Sequence, residues 1–107
     1  MAIENFHAHI YFDPHEVEAA RALAEEARAR FGVAIGRFHE RPVGPHPRGS
    51  CQLTVATGRF GDFAVWAALN RRGLTLFAHP TTGAHLADHS EHVIWFGPSE
   101  TLNLSIF

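Results

Sequence analysis

The chain has little of what disulfide-linked, membrane-spanning or nucleic-acid-binding proteins need. Its 107 residues include one cysteine, Cys51, which excludes an internal disulfide and a zinc site built from several thiolates. The formal net charge is -2 and no basic run is present, which argues against nucleic acid or an anionic membrane as a partner. The longest uncharged, strongly apolar run, residues 63–69, is too short to span a bilayer. The first residues lack the basic and then apolar pattern of a signal peptide, so we expect a cytoplasmic location.

Length and composition predict a single domain over residues 1–107. Apolar residues make up 46% and charged residues 19% of the chain, which is typical of a globular protein. A domain of this size buries only about 60–70% of the surface of its unfolded chain. We therefore expect a second subunit to cover part of the remaining surface, as in a homodimer.

Histidine is the outlier of the composition. The chain has nine histidines, spread from His7 to His92, but one tyrosine and one methionine. Histidine is the commonest metal ligand and the side chain that titrates nearest neutral pH. Such an enrichment indicates a site in which several imidazoles act together.

Apolar periodicity predicts the element order β-α-β-β-α-β followed by extra strands. Strands are predicted at residues 6–12, 33–39, 51–57, 74–79, 93–96 and 102–107, helices at residues 14–31 and 60–70, and a helical turn at 84–91. The inner side of the second helix is expected to include Phe63, Trp66 or Ala67, and Leu69. The order indicates an α+β, ferredoxin-like sandwich, in which an antiparallel sheet carries two helices on one face and has extra C-terminal strands.

Alternation along the first and fourth strands places three histidines on one face of this sheet. One side of each strand is entirely apolar and is expected to meet the helices: Phe6, Ala8, Ile10 and Phe12 on the first strand, and Leu74, Leu76 and Ala78 on the fourth. These two strands are neighbours in a ferredoxin-like sheet. His7, His9 and His79 must then converge on the opposite face, together with Tyr11 and Phe77.

A fourth histidine lies in the proline-rich loop at residues 41–49. Pro45 and Pro47 flank His46 and restrict its direction, which lowers the entropy cost of ordering it. Three or four neutral imidazoles suit iron, zinc, copper or nickel. The alternative is a structural one, since histidine pairs on strands are often surface or hydrogen-bonded residues, and His79 could cap its strand before Pro80.

The remaining histidines and the cysteine carry weaker signals. We expect His15, His85 and His92 to be solvated, and Cys51 to face the core as an inert thiol. His89 is ambiguous, because the acid beside it, Asp88, points elsewhere on a helix.

Several segments resemble the DOPA 4,5-dioxygenase family. They are FHAHIYF at residues 6–12, RPVGPHP at 41–47, NRRGL at 70–74, HPTTG at 79–83, DH at 88–89 and IWFG at 94–97. The match covers nearly the whole chain and keeps the order of the motifs. The resemblance implies a ferredoxin-like fold that tends to dimerise, and extradiol cleavage of the catechol ring of DOPA with non-haem Fe(II) and O₂. The family motifs fall on His7, His9, His46, His79 and His89.

The resemblance also implies roles for individual residues. Fe(II), for which zinc or nickel could substitute in a purified protein, is expected to be held by His7, His9, His46 and His79, or by three of them. A histidine that is not a ligand serves as acid and base, and His89 is the candidate. An arginine is expected to bind a carboxylate of the small aromatic substrate, and the candidates are Arg37, Arg41 and Arg71. Two aromatic residues, Tyr11 and Phe77, are expected to line the pocket.

Two questions stay open at the level of sequence. Many non-haem iron sites use two histidines and one carboxylate, yet no acid lies among the converging strand positions. Glu40, Asp88 or Glu91 could reach in from loops, or the site is all-histidine. The competing functions are a non-catalytic dimer that binds a metal or an aromatic ligand, and a cofactor-free monooxygenase of the dimeric α/β-barrel type.

Overall fold

Five strands form one antiparallel sheet in the computed structural model, which describes residues 2–107. The strands are β1 (Asn5–Phe12), β2 (Ala34–His39), β3 (Gly49–Ala56), β4 (Thr75–Pro80) and β5 (Ile94–Phe96), and the helices are α1 (Val17–Phe31), α2 (Phe60–Asn70) and the short α3 (His85–Asp88). The order across the sheet is β2-β3-β1-β4-β5. The first six elements therefore have the predicted ferredoxin-like arrangement, and β5 extends the sheet beside β4.

The predicted first helix begins as a tighter turn. Residues Pro14–Glu16 form a 3-10 turn, and α1 follows from Val17. The backbone N–H of Asp13 donates to the Glu16 carboxylate at 2.8 Å, which satisfies one of the free donors at this end. Gly32 ends the helix with φ of 67°, a left-handed conformation that glycine adopts without a steric penalty.

The helices cover the apolar face of the sheet, as the alternation predicts. Ile10, Leu53 and Leu76, from the three central strands, are fully buried in one core with residues of α1 and α2. Cys51 lies in the same core, where burial raises the pKa of its thiol to about 11. Among the described residues, no helix is long and apolar enough to cross a bilayer.

One expectation for α2 is wrong. Phe63, Trp66 and Ala67 face the core, but Leu69 is 88% exposed. At about 100° per residue, position 69 points about 120° away from the row that Phe63 begins. It shares the outer side of the helix with Val65, which is 73% exposed.

The predicted last strand, residues 102–107, is also wrong. This segment contains a 3-10 turn at Leu104–Ile106 and joins no sheet. The side chain of Asn103 accepts a hydrogen bond from the backbone N–H of Ser105 at 3.2 Å, which favours a turn over an extended strand. The Asn103 backbone N–H donates to the carbonyl of Pro45, so the segment packs on the proline-rich loop instead of a sheet edge.

Candidate functional site

Three histidines converge on the face of the sheet that the helices leave uncovered. His7 on β1 lies directly opposite His79 on β4 in the strand register, and His9 follows two residues along β1. One ring nitrogen from each of the three lies within 4.8 Å of the other two. The convergence expected from alternation is therefore present, while the roles of these residues in metal binding remain a prediction.

One pair of these nitrogens has the spacing that two ligands of one metal ion have. The Nε2 atoms of His9 and His79 are 3.2 Å apart. Two nitrogens that each lie about 2.1 Å from one ion are about 3.0–3.4 Å apart at tetrahedral or octahedral angles. Neutral imidazoles are good ligands for divalent iron, zinc and nickel, so the donor set fits a transition metal of this kind.

Burial keeps these imidazoles neutral. Desolvation lowers the pKa of His9 well below its ordinary value, and the neighbouring histidines lower it further. Burial likewise lowers the pKa of His79 to about 4, and it lowers the pKa of half-buried His7. A metal binds the unprotonated ring, so at neutral pH these residues need lose no proton to bind one.

Backbone carbonyls orient the rings of His79 and His89. The Nδ1 atom of His79 donates to the carbonyl of Pro80 at 2.8 Å, and Nδ1 of His89 donates to the carbonyl of His85 at 2.7 Å. A carbonyl only accepts, so each ring carries its proton on Nδ1 and has a lone pair on Nε2. The ring of His89 lies 4.1 Å from that of His79 between centroids, which brings the predicted acid–base residue to the cluster.

The proline-rich loop brings His46 to the same place. The ring centroids of His46 and His9 are 4.2 Å apart. The Nδ1 atom of His46 lies 2.7 Å from the hydroxyl oxygen of Tyr11, and burial lowers the pKa of His46 to about 4. His46 is outside the group of three nitrogens that could share one ion.

A cleft of about 450 Å³ opens above the histidines. Besides His7, His9, His46, His79 and His89, its lining includes Glu4, His85, Asp88 and Phe107. The Phe107 ring lies 4.5 Å from that of His89 and stacks near His85 at 6.3 Å. His85 and Phe107 were not predicted as site residues, because periodicity says nothing about where turns and irregular segments place their side chains.

The acids considered at the sequence level do not join the three histidines. Asp88 is buried, and its two carboxylate oxygens accept hydrogen bonds from the backbone and hydroxyl of Thr82. Burial opposes ionisation of Asp88, but the hydrogen bonds from Thr82 prevail and lower its pKa. Glu40 and Glu91 are exposed. Asp88 therefore anchors the turn that follows His79.

Tyr11 and Phe77, the aromatic residues predicted to line the pocket, lie deeper in the protein than expected. Tyr11 and Phe77 are fully buried and lie under the histidines, with the Phe77 ring 5.7 Å from that of His9 and 5.5 Å from that of His79. Neither ring lines the cleft. The expectation that they line the pocket is corrected: they support the rings that do.

Of the three arginines predicted to bind substrate, only Arg37 lines a cleft that adjoins the histidines. Arg37 lies within an irregularity of β2 and lines a second cleft of about 270 Å³, whose lining shares His9 and His46 with the first. Arg71 donates to the carbonyl of Leu74, before the start of β4. Since Leu74 precedes His79 by a strand length of about 17 Å, the structure does not bring Arg71 to the histidines. Arg41 is exposed on the loop.

Comparison with known proteins gives the family. Residues 6–106 match the sequence model of the Dopa 4,5-dioxygenase family. The chain belongs to this family. It is 32% identical to a DOPA 4,5-dioxygenase of Amanita muscaria over 96% of this chain and 49% of that protein. It is 37% identical to an uncharacterized 21.2 kDa protein of Botryotinia fuckeliana over 94% of this chain and 62% of that one.

This member of the Dopa 4,5-dioxygenase family also resembles a solved structure. A crystal structure from Nostoc punctiforme, provisionally described as a dioxygenase, is 39% identical and superimposes with a TM-score of 0.92, covering 95% of this chain and 89% of that chain. The chain spans about half the length of the Amanita muscaria relative. Family and relatives together point to a dioxygenase, and the histidine cluster is where such an enzyme could bind a metal.

Proposed function

We propose that this protein is a non-haem Fe(II)-dependent extradiol dioxygenase that cleaves the ring of a catechol such as DOPA. The observation that carries the proposal is the cluster of His7, His9 and His79 in an open cleft, in a chain of the Dopa 4,5-dioxygenase family. No carboxylate belongs to this cluster among the described residues, so the proposed ligand set is all-histidine.

The proposed ligands are three of the four histidines His7, His9, His46 and His79. Bound Fe(II) supplies the redox chemistry that joins O₂ to an aromatic ring, which no side chain supplies alone. Zinc or nickel could occupy the same imidazoles in a purified sample, because they accept the same ligands. O₂ is the proposed co-substrate.

The cleft fits a small aromatic substrate. Its volume of about 450 Å³ is in the lower part of the usual range for small-molecule sites. His89, whose Nδ1 is paired with a carbonyl and whose ring lies beside that of His79, is the proposed acceptor of a proton from a catechol hydroxyl. Arg37, in the adjoining cleft, is the proposed contact for a carboxylate on the substrate.

We further propose that residues 1–107 act as one domain in a cytoplasmic homodimer. Exposed Val65 and Leu69 on α2 are apolar surface that a partner subunit would cover. The chain has one cysteine and it is buried, which suits a reducing compartment. Sedimentation equilibrium of the purified protein tests the dimer, and a mass equal to one chain would contradict it.

Oxygen uptake tests the proposed reaction. The protein is purified without oxygen, reconstituted with Fe(II), and supplied with L-DOPA or simple catechols. We expect about one O₂ consumed per catechol and a yellow ring-opened product. The double variant His9→Ala/His79→Ala should lose both bound iron and uptake, because it removes two clustered nitrogens. His15→Ala, at an exposed position, is the matched control and should keep both.

Other outcomes would replace the proposal. Unchanged iron content in the double variant would exclude these histidines as ligands. Tight metal binding without uptake with any catechol would favour a binding module. Full uptake after chelation would favour a cofactor-free monooxygenase.

A further inference from the structure

His46 differs from His79 and His89 in the group that its Nδ1 atom contacts: a tyrosine hydroxyl instead of a backbone carbonyl. We propose that Tyr11 holds His46 with its proton on Nε2, so that His46 donates a hydrogen bond to a substrate oxygen in the cleft and is not a metal ligand. The identity of the substrate rests on the proposed function, whereas the position of the proton on His46 is argued from contacts within this chain alone.

Among the residues that the structure describes, the hydroxyl of Tyr11 has one acceptor within hydrogen-bond distance. Tyr11 is fully buried, and among residues 2–107 its oxygen forms a hydrogen bond only with Nδ1 of His46, at 2.7 Å. If Nδ1 carried the proton and donated it, the phenol proton would be buried without an acceptor, which costs free energy comparable with a lost hydrogen bond. The phenol therefore donates to Nδ1, and the proton of the neutral ring lies on Nε2.

This arrangement is the reverse of that in His79 and His89. Their Nδ1 atoms pair with the carbonyls of Pro80 and His85, which can only accept. Those two rings have their lone pairs on Nε2, where a metal or a substrate proton can be bound. A ring that carries a proton on Nε2 offers no lone pair there, so His46 can donate from that atom but cannot ligate through it.

The Nε2 atom of His46 is not fully buried. Within residues 2–107, Trp66 Nε1 is the only fully buried side-chain nitrogen or oxygen without a hydrogen-bond partner. His46 Nε2 likewise has no hydrogen-bond partner among residues 2–107 but is not one of the fully buried atoms, so solvent reaches it, and His46 lines both clefts. Its ring lies 4.2 Å from that of His9 between centroids. A substrate oxygen held by His46 is therefore next to the three clustered nitrogens.

Further contacts hold the loop of His46 and the ring of Tyr11 in place. The Pro45 carbonyl accepts a hydrogen bond from the Asn103 backbone N–H at 2.9 Å, which ties the residue before His46 to the C-terminal segment. The guanidinium of Arg48 lies 5.9 Å from the centroid of the Tyr11 ring and is itself held by Glu100. Tyr11 is thus a positioning residue, which acts on the substrate only through His46.

Nitrogen NMR of the histidine rings tests the position of the proton directly. Long-range ¹H–¹⁵N correlations are recorded for the wild-type protein, metal-free and loaded with Zn(II), at neutral pH. We expect His46 to carry its proton on Nε2 in both states and His79 to carry its proton on Nδ1. Zn(II) should displace the Nε2 resonance of His79, but neither nitrogen resonance of His46. A proton on Nδ1 of His46, or a Zn(II)-induced displacement of its Nε2, would overturn the proposal.

Matched variants separate positioning from metal binding. His79→Gln should weaken Zn(II) binding by at least about tenfold in a competition with a chromophoric chelator, the order of loss known for groups around metal sites. His46→Gln and Tyr11→Phe should each leave Zn(II) affinity within about threefold of wild type, while raising the KM for a catechol. Equal losses of Zn(II) affinity in His46→Gln and His79→Gln would show that His46 is a ligand.

The outcomes distinguish this inference from the proposed function. If no catechol supports oxygen uptake but the NMR pattern is as expected, the proposed reaction fails and the tautomer assignment stands. If uptake is present but Zn(II) displaces the His46 resonance, only the assignment of His46 fails.

Discussion

Acid should destabilise the metal-free protein between pH 6.5 and pH 4. His46 and His79 have a pKa of about 4 in the fold against an ordinary value of 6.5, chiefly because burial disfavours the charged imidazole. Well above pH 6.5 both rings are neutral in the folded and the unfolded chain. As the pH falls below 6.5, the unfolded chain takes up protons that the folded chain does not, so the free energy of unfolding decreases until about pH 4.

The expected loss is large for a domain of this size. At 1.36 kcal/mol per pKa unit, each of the two histidines lowers the free energy of unfolding by up to about 3 kcal/mol at pH 4. The two rings influence each other, so we expect this pair to contribute between about 3 and 6 kcal/mol, against the 5–15 kcal/mol typical of small proteins. His9 and His7, whose pKa values are also lowered, add to the loss in the same direction. Asp88, whose pKa is lowered from 3.8, contributes its loss at still lower pH.

Urea unfolding of chelator-treated protein measures this loss. The free energy of unfolding is determined from neutral pH to pH 4 for wild type, for His79→Gln and for His15→Gln. His79→Gln should show a shallower decrease, because a titrating buried ring is replaced by an uncharged amide, whereas exposed His15→Gln should follow wild type. A flat wild-type profile between pH 6.5 and 4, or identical slopes in the two variants, would refute the reasoning.

Two further substitutions test features that hold the site in place. Arg48→Ala removes the two hydrogen bonds to Glu100, at 3.1 and 2.8 Å, and thermal melts should show a free energy of unfolding lowered by about 1–3 kcal/mol. Arg28→Ala, which removes an exposed ion pair, is the control and should lower it by less than about 1 kcal/mol. Gly49→Ala would place its Cβ 2.8 Å from a backbone carbonyl of β1 and should cost about 1–3 kcal/mol, whereas Gly58→Ala, with no atom within 4 Å, should be tolerated. Equal denaturation midpoints within either pair would contradict the corresponding contact.

Periodicity was sufficient to predict the face that carries the site. An error of a few residues in the ends of β1 leaves His7 and His9 on the same side, because side chains two residues apart in a strand always share a face. The pairing of β1 with β4 follows from the ferredoxin-like order, and it places His79 directly opposite His7. The convergence of three distant histidines therefore follows from the sequence alone.

Irregular segments could not be predicted in the same way. The alternation of Leu102, Leu104 and Ile106 suggests a strand, but Asn103 forms a turn and the segment packs on the loop of His46. Hydrogen bonds of this kind depend on tertiary contacts that no local pattern contains. The same limit applies to the Tyr11 hydroxyl, since alternation gives the face of a side chain but not the atom it binds.

The position of Cys51 bears on how the protein would tolerate its own chemistry. If the proposed Fe(II) and O₂ chemistry takes place in the cleft, the thiolate form of a cysteine is the group that an oxidant attacks most readily. Cys51 lies on the helix side of the sheet, opposite the face that carries the histidines, and its pKa of about 11 keeps the thiol protonated. The sheet then separates the proposed iron site from the one sulfhydryl group of the chain, and oxidative inactivation in the proposed reaction should begin at the histidines.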